Sequence, residues 1–132
     1  MLNYLYVAFG GAFGSVFRFW LSGIVARHYG ESFPLGTLCI NVSGSLVIGF
    51  VAESTGPDGR YFLSSHMRDG LLIGVLGGYT TFSSFSLQTM NLIREGEGAR
   101  AGLNVLLSVA ICLLAVWLGQ VFGRLWGNLR TF

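Results

Sequence analysis

The sequence predicts an all-α membrane protein with four transmembrane helices, the third of them broken. Three observations predict it. Residues 32–52, 70–93 and 101–123 carry no charge, and residues 2–26 are interrupted only by Arg18. A helix needs about 20 largely apolar residues to cross a hydrocarbon core of about 30 Å. Charged residues make up only 11% of the chain, against about 25% in a soluble domain, and mean hydropathy is +0.63. The apolar runs are also continuous, not alternating, so they are not barrel strands. In lipid the backbone must satisfy its own hydrogen bonds, and a helix does so. The 132 residues then read as one four-helix transmembrane domain, residues 1–132, with short connections.

The first helix is placed over residues 3–27, ending near Arg27-His28. Its first seventeen residues hold no basic n-region and no A-x-A site follows, so it reads as a span, not a cleaved signal peptide. His28 to Phe33 form a connection to Pro34, which is tolerated in a first helical turn. The second helix is placed over residues 35–53 and stops at the loop Ser54-Thr55-Gly56-Pro57-Asp58-Gly59. Residues 60–68 read as an amphipathic, interfacial stretch before a third helix over 69–94. Glu95-Gly96-Glu97-Gly98 separates it from a fourth helix over 99–126. Trp20 and Trp126 lie near helix ends, where amphipathic rings favour the membrane interface. Cys39 and Cys112 lie within apolar spans and read as small buried hydrophobes, not as a disulfide or metal pair. His28 and His66 lie in connections without ligand-spaced partners.

Arginine supplies all eight basic residues. With four spans, Arg60, Arg68, Arg124 and Arg130 share one side, and Arg27, Arg94 and Arg100 the other. Orientation follows an Arg/Lys excess on the cytoplasmic side; four against three is almost no excess. Dual topology follows, with an antiparallel homodimer as its natural product. Glycines four apart (Gly10 and Gly14; Gly70, Gly74 and Gly78; Gly119, Gly123 and Gly127) let helices approach closely. Together they predict a tightly packed oligomer; packing within one chain is the competing reading.

Polar groups in hydrocarbon are costly unless partnered, so their clustering is informative. Thr37 and Asn41 lie four apart on the second helix, and Gly44 and Ser45 continue that face. Asn104, Ser108 and Cys112 form a similar stripe on the fourth. These stripes read as interhelical hydrogen bonding or as a polar pathway. The third helix holds the strongest signal, Gly77-Gly78-Tyr79-Thr80-Thr81-Phe82-Ser83-Ser84-Phe85-Ser86. Two glycines before two β-branched threonines mark a place to break a helix. Broken helices release carbonyls and amides that can bind ions where they face protein or a cavity. Phe82 and Phe85 share a face, and an aromatic edge is electropositive. Arg18 is the only charge well inside an apolar stretch; it is either functional or snorkels to the interface. No carboxylate lies in mid-span to relay protons. There is also no nucleophile–base set, phosphate loop or basic patch, so neither an enzyme nor a nucleic-acid binder is expected.

These motifs resemble the CrcB/Fluc family of small fluoride channels. The likeness is carried by Gly10-Gly11-Ala12-Phe13-Gly14 followed by Arg18, by Gly36-Thr37-Leu38-Cys39-Ile40-Asn41 followed by Gly44, and by the Gly77–Phe85 run. The resemblance implies a dual-topology homodimer with two fluoride pathways. It also implies a structural Na+ at the dimer centre, held by the backbone carbonyls of Gly77 and Thr80. Phe82 and Phe85 would line the pore, Asn41 would be its second-helix polar residue, and Ser108 matches a polar track on the fourth helix. Arg18 would sit near a vestibule. Some relatives carry Tyr and Ser at the positions of Asn104 and Cys112. Fluoride is small and strongly hydrated, so its path must supply dense donors; Asn41, Thr81, Ser83, Ser84 and Ser108, with Thr37 on the same stripe, are candidates. The role implied is passive fluoride export across the inner membrane. A small dimeric proton-coupled multidrug-type exporter is the alternative, and a non-transporting membrane assembly protein is a third reading.

Overall fold

The structure, a computed structural model, describes residues 1–30 and 32–128. Among the described residues four helices are long and apolar enough to cross a membrane: α1 (Leu2–Tyr29), α2 (Leu35–Ser54), α3 (Ser65–Arg94) and α4 (Gly98–Asn128). Gly30 ends α1 with φ 75°, a left-handed conformation that glycine adopts without a Cβ clash. Pro34 occupies the N-cap position of α2. The α3–α4 connection turns through Gly96 at φ 80°.

α3 differs most from the sequence expectation. It begins at Ser65, not Asp69, because the Ser64 hydroxyl caps the first turn by accepting the Met67 N–H at 3.4 Å. The expected interfacial stretch is therefore divided: residues 60–64 are non-helical and 65–68 open the helix. From Gly70 to Leu76 the backbone is wound as a π-helix, and it returns to α-helix over Gly77–Tyr79. Thr80 and Thr81 are then extended, and helix resumes over Phe82–Arg94. The expected break is thus present, at the two threonines, with Tyr79 between it and the two glycines.

α1 packs along the first half of α3, α2 packs along α4, and the second half of α3 leans on α4. Glycine makes both long contacts possible. A Cβ at Gly14 would strike the Val75 carbonyl, and one at Gly119 would strike the Leu46 carbonyl. One at Gly78 would lie 2.7 Å from the Gly11 carbonyl. The glycine rows are therefore used within one chain; the expectation that they build an oligomer is corrected for these positions. Gly127 meets nothing within 4 Å.

Cross-contacts order the two ends of the bundle. Asn3 Nδ2 donates to Asp69 Oδ2 at 3.3 Å, Arg124 pairs with Glu53 at 2.7 Å, and Trp126 Nε1 donates to the Tyr61 hydroxyl at 3.1 Å. The start of α1, the α2–α3 connection and the end of α4 therefore share one end. That end holds Arg60, Arg68 and Arg124, and the opposite end holds Arg27, Arg94 and Arg100. Arg130, also in the charge count, lies outside the described residues. Cys39 corrects the buried-hydrophobe reading: Leu38 and Ile40 are buried, but Cys39 is exposed, and Cys112 is half-buried.

Candidate functional site

The break in α3 is held from α2. Asn41 Nδ2 donates to the Thr81 carbonyl at 3.0 Å, and the Thr81 N–H donates to Asn41 Oδ1 at 2.8 Å. One side-chain amide thereby satisfies both backbone groups of the residue that leaves the helix. Thr81 also starts the next helical segment: its hydroxyl accepts the Ser84 N–H at 3.2 Å, a side-chain N-cap. The same hydroxyl donates to Ser84 Oγ at 2.9 Å and lies 3.4 Å from Ser83 Oγ. Asn41, Thr81, Ser83 and Ser84, separate in the sequence reading, form one hydroxyl-and-amide cluster around a buried threonine.

The break releases carbonyls. In an unbroken helix the Gly77 and Thr80 carbonyls would accept from Thr81 and Ser84. Those amides donate to Asn41 Oδ1 and Thr81 Oγ1 instead. Arg18 reaches this point from α1, with Nη1 3.3 Å from the Thr80 carbonyl. Its guanidinium is therefore engaged at the break, half-buried, and does not line the end cavity described below. Ser15 Oγ approaches the Gly78 carbonyl at 3.5 Å.

Phe82 and Phe85 are paired, with centroids 5.3 Å apart and planes at 53°. Their surroundings differ: Phe85 is 8% exposed and Phe82 is 77% exposed. Their spacing on one helix face does not distinguish them. Phe82 follows the break directly and points away from the chain's core.

Ser108 belongs to a second polar chain. Its hydroxyl approaches Asn104 Oδ1 at 3.5 Å, Asn104 Nδ2 donates to Thr89 Oγ1 at 2.9 Å, and Thr89 donates to the Phe85 carbonyl at 2.8 Å. Asn104 is 2% exposed, so a polar network occupies the α3–α4 contact. Thr37 is buried one turn before Asn41 and lines a cavity of about 600 Å³ at the end of the bundle opposite the chain's N-terminus. Ser22, Gln88, Asn91, Glu95 and Arg100 also line it. Gln88 Oε1 is buried there and has no hydrogen-bond partner among the described residues.

Thr89, Gln88 and the Ser43–Tyr79 hydroxyl pair at 2.8 Å were missed in the sequence. Thr89 had a legible signal, since Thr81, Phe85 and Thr89 lie in one i, i+4 row of an uncharged span. Gln88 had the same signal four residues after Ser84. Nothing in the spacing joins Ser43 to Tyr79, which come from different helices.

The fold and site define a polytopic membrane protein with a broken helix and polar chains built through its apolar bundle. The chain belongs to the CrcB family: the profile described as "CrcB-like protein, Camphor Resistance (CrcB)" matches residues 5–120. It is 59% identical over 120 residues to a protein of Rhodospirillum rubrum named "Fluoride-specific ion channel FluC", covering 91% of this chain and 93% of that one. A protein of the same name from Opitutus terrae is 60% identical over 121 residues, covering 92% of each chain. Another, from Methylocella silvestris, is 54% identical over 120 residues, covering 91% of this chain and 92% of that one.

Proposed function

We propose that this chain forms a fluoride-selective ion channel, not an enzyme, that lets fluoride leave the cell passively through the inner membrane and so lowers intracellular fluoride. Relatives named fluoride-specific ion channels match more than nine-tenths of the chain at 54–60% identity. One observation carries the pathway: Asn41 holds open a helix break at which the hydroxyls of Thr81, Ser83 and Ser84 cluster, and the Phe82–Phe85 pair lies on the helical turns that follow it. Each part suits a small, strongly hydrated anion. A carboxamide NH2 carries two donors, and one Asn41 N–H is used by Thr81. Ser84 Oγ accepts from Thr81 and so keeps its own proton to give. Ring edges add a positive field without a fixed charge.

The working unit is an antiparallel homodimer. Gly77, Phe82 and Ser83 are exposed on the outer face of α3 at the break. Released backbone and hydroxyls in mid-span cannot face lipid and need a protein cover. A second copy supplies that cover, and the even arginine distribution favours opposed insertion. Two copies then give two pathways, each continuing through Ser108 and its partners and opening past Thr37 into the end cavity. Arg18 adds a positive field near the break.

The freed Gly77 and Thr80 carbonyls are hard oxygen donors of the kind Na+ takes, and a carbonyl has two lone pairs, so the Arg18 contact leaves Thr80 oxygen able to bind. They would hold a structural sodium ion at the dimer centre, with the second copy's carbonyls completing the site. Its charge would fix the break and balance released carbonyl dipoles.

The test is fluoride and chloride efflux from liposomes holding only the purified protein, with a potassium ionophore carrying counter-charge. Fast fluoride efflux that needs the ionophore, with little chloride release, is expected. Uphill transport driven by a proton gradient would favour the exporter, and no efflux from folded dimer would favour the assembly protein.

A further inference from the structure

At the end of the bundle shared by the chain's N-terminus and the end of α4, we infer a binding site for the headgroup of an anionic phospholipid. It is independent of the ion pathway. The wall of the site is the α2–α3 connection. A cleft of about 250 Å³ there is lined by Thr55, Pro57, Tyr61, Phe62, Leu63 and Arg68, among others. Arg68 Nε donates to Thr55 Oγ1 at 3.3 Å, which fixes the guanidinium at the cleft. Among the described residues Arg68 has no carboxylate partner, and neither has Arg60. Arg60 is held differently: Nη1 lies 3.4 Å from the Trp126 carbonyl, and the guanidinium lies 5.6 Å and 5.4 Å from the Tyr61 and Trp126 ring centroids.

The two arginines are thus ordered by neutral partners and keep their positive charge unpaired. Tyr61 and Trp126 mark the level of the membrane interface, where such rings settle. Phe62 is fully exposed beside Arg68, an arrangement that is costly in water and favourable against acyl chains. Cation and apolar wall are therefore adjacent at the depth where a phosphodiester meets its acyl chains. A planar guanidinium with free N–H groups suits bidentate recognition of phosphate.

The experiment uses the purified full-length protein in detergent. Native mass spectrometry would count bound phosphatidylglycerol and, separately, phosphatidylcholine, with inorganic phosphate as a competitor. Phosphatidylglycerol is expected to bind in preference to phosphatidylcholine. Arg68→Gln should weaken it about fivefold, the affinity equivalent of one interfacial arginine. Arg68→Lys, which keeps the charge but loses the planar fork, should fall between the unmodified protein and Arg68→Gln, and Arg94→Gln at the opposite end should leave binding unchanged. Equal binding of the two lipids, or an unaffected Arg68→Gln variant, would overturn the site. Displacement of the lipid by millimolar inorganic phosphate would overturn the lipid as its occupant. If Arg68→Gln does not fold, loss of the lipid preference in Arg60→Gln, with the fold retained, would support the site, and its persistence would overturn it.

Discussion

Asn41 and Thr81 exchange two hydrogen bonds between α2 and the break in α3, at 3.0 Å and 2.8 Å. The pair converts a costly feature, backbone released in mid-membrane, into a defined structure. It also aims the Thr81 hydroxyl at Ser83 and Ser84.

Asn41→Ala leaves a buried N–H and a buried carbonyl without partners. Each such group costs about 1–3 kcal/mol. The variant should lose about 2–6 kcal/mol of stability and most fluoride flux, read by unfolding in detergent and by liposome efflux. Wild-type stability would mean that Thr81 finds other partners.

Phe82→Ile and Phe85→Ile should both cut fluoride flux and leave the dimer assembled. They should differ in stability: Phe85 is buried and loses about 1–3 kcal/mol on reshaping, whereas Phe82 is exposed in the single chain. Size-exclusion chromatography, thermal unfolding and efflux on the same samples separate these effects. Unchanged flux in both variants would remove the rings from the pathway.

Gly14→Ala drives a Cβ into the Val75 carbonyl, backbone that cannot yield as a side chain would. A loss of about 1–3 kcal/mol and poor recovery of folded protein are expected. Gly23→Ala, with nothing within 4 Å, should be neutral or slightly stabilising because alanine favours helix. Similar behaviour of the two would disprove tight α1–α3 packing.

Replacing sodium by N-methylglucamine during purification should lower flux if the Gly77 and Thr80 carbonyls hold Na+. Thr80→Val keeps the carbonyl and loses only the hydroxyl, which donates to the Leu76 carbonyl at 2.9 Å. It should retain the sodium dependence. A flux indifferent to sodium would argue against the ion.

A reporter at the C-terminus should label both faces of the membrane, since three arginines at one end face three at the other among the described residues. Asp58→Lys with Ser65→Lys, one on the α2–α3 connection and one at the first residue of α3, both exposed at the same end of the bundle, should bias insertion and reduce assembled dimer. A single-sided reporter in the unmodified protein would exclude dual topology.

Much of this architecture was legible in the residues. Uncharged runs long enough to span a bilayer locate four helices, because lipid leaves the backbone few other solutions. Gly77-Gly78 before Thr80-Thr81 marks the break, because local backbone preference operates within a few residues. The start of α3 was placed late because Ser64 caps it from within a polar stretch that reads as a loop.

Pairings between helices were not legible. Periodicity puts Asn41 and Thr37 on one face and Asn104 and Ser108 on another, but it does not say which helix each face meets. Only the tertiary structure decided that Asn41 serves the Thr81 backbone, that Asn104 reaches Thr89, and that Arg18 turns to the Thr80 carbonyl. It also decided that the glycine rows are used inside one chain, and that Phe85 is buried while Phe82 is not. The physical reason is the range of the forces. Hydropathy and backbone propensity act along the chain and are written in its order. Hydrogen bonds and close packing act over a few ångströms between segments distant in sequence, and exist only once the helices have docked.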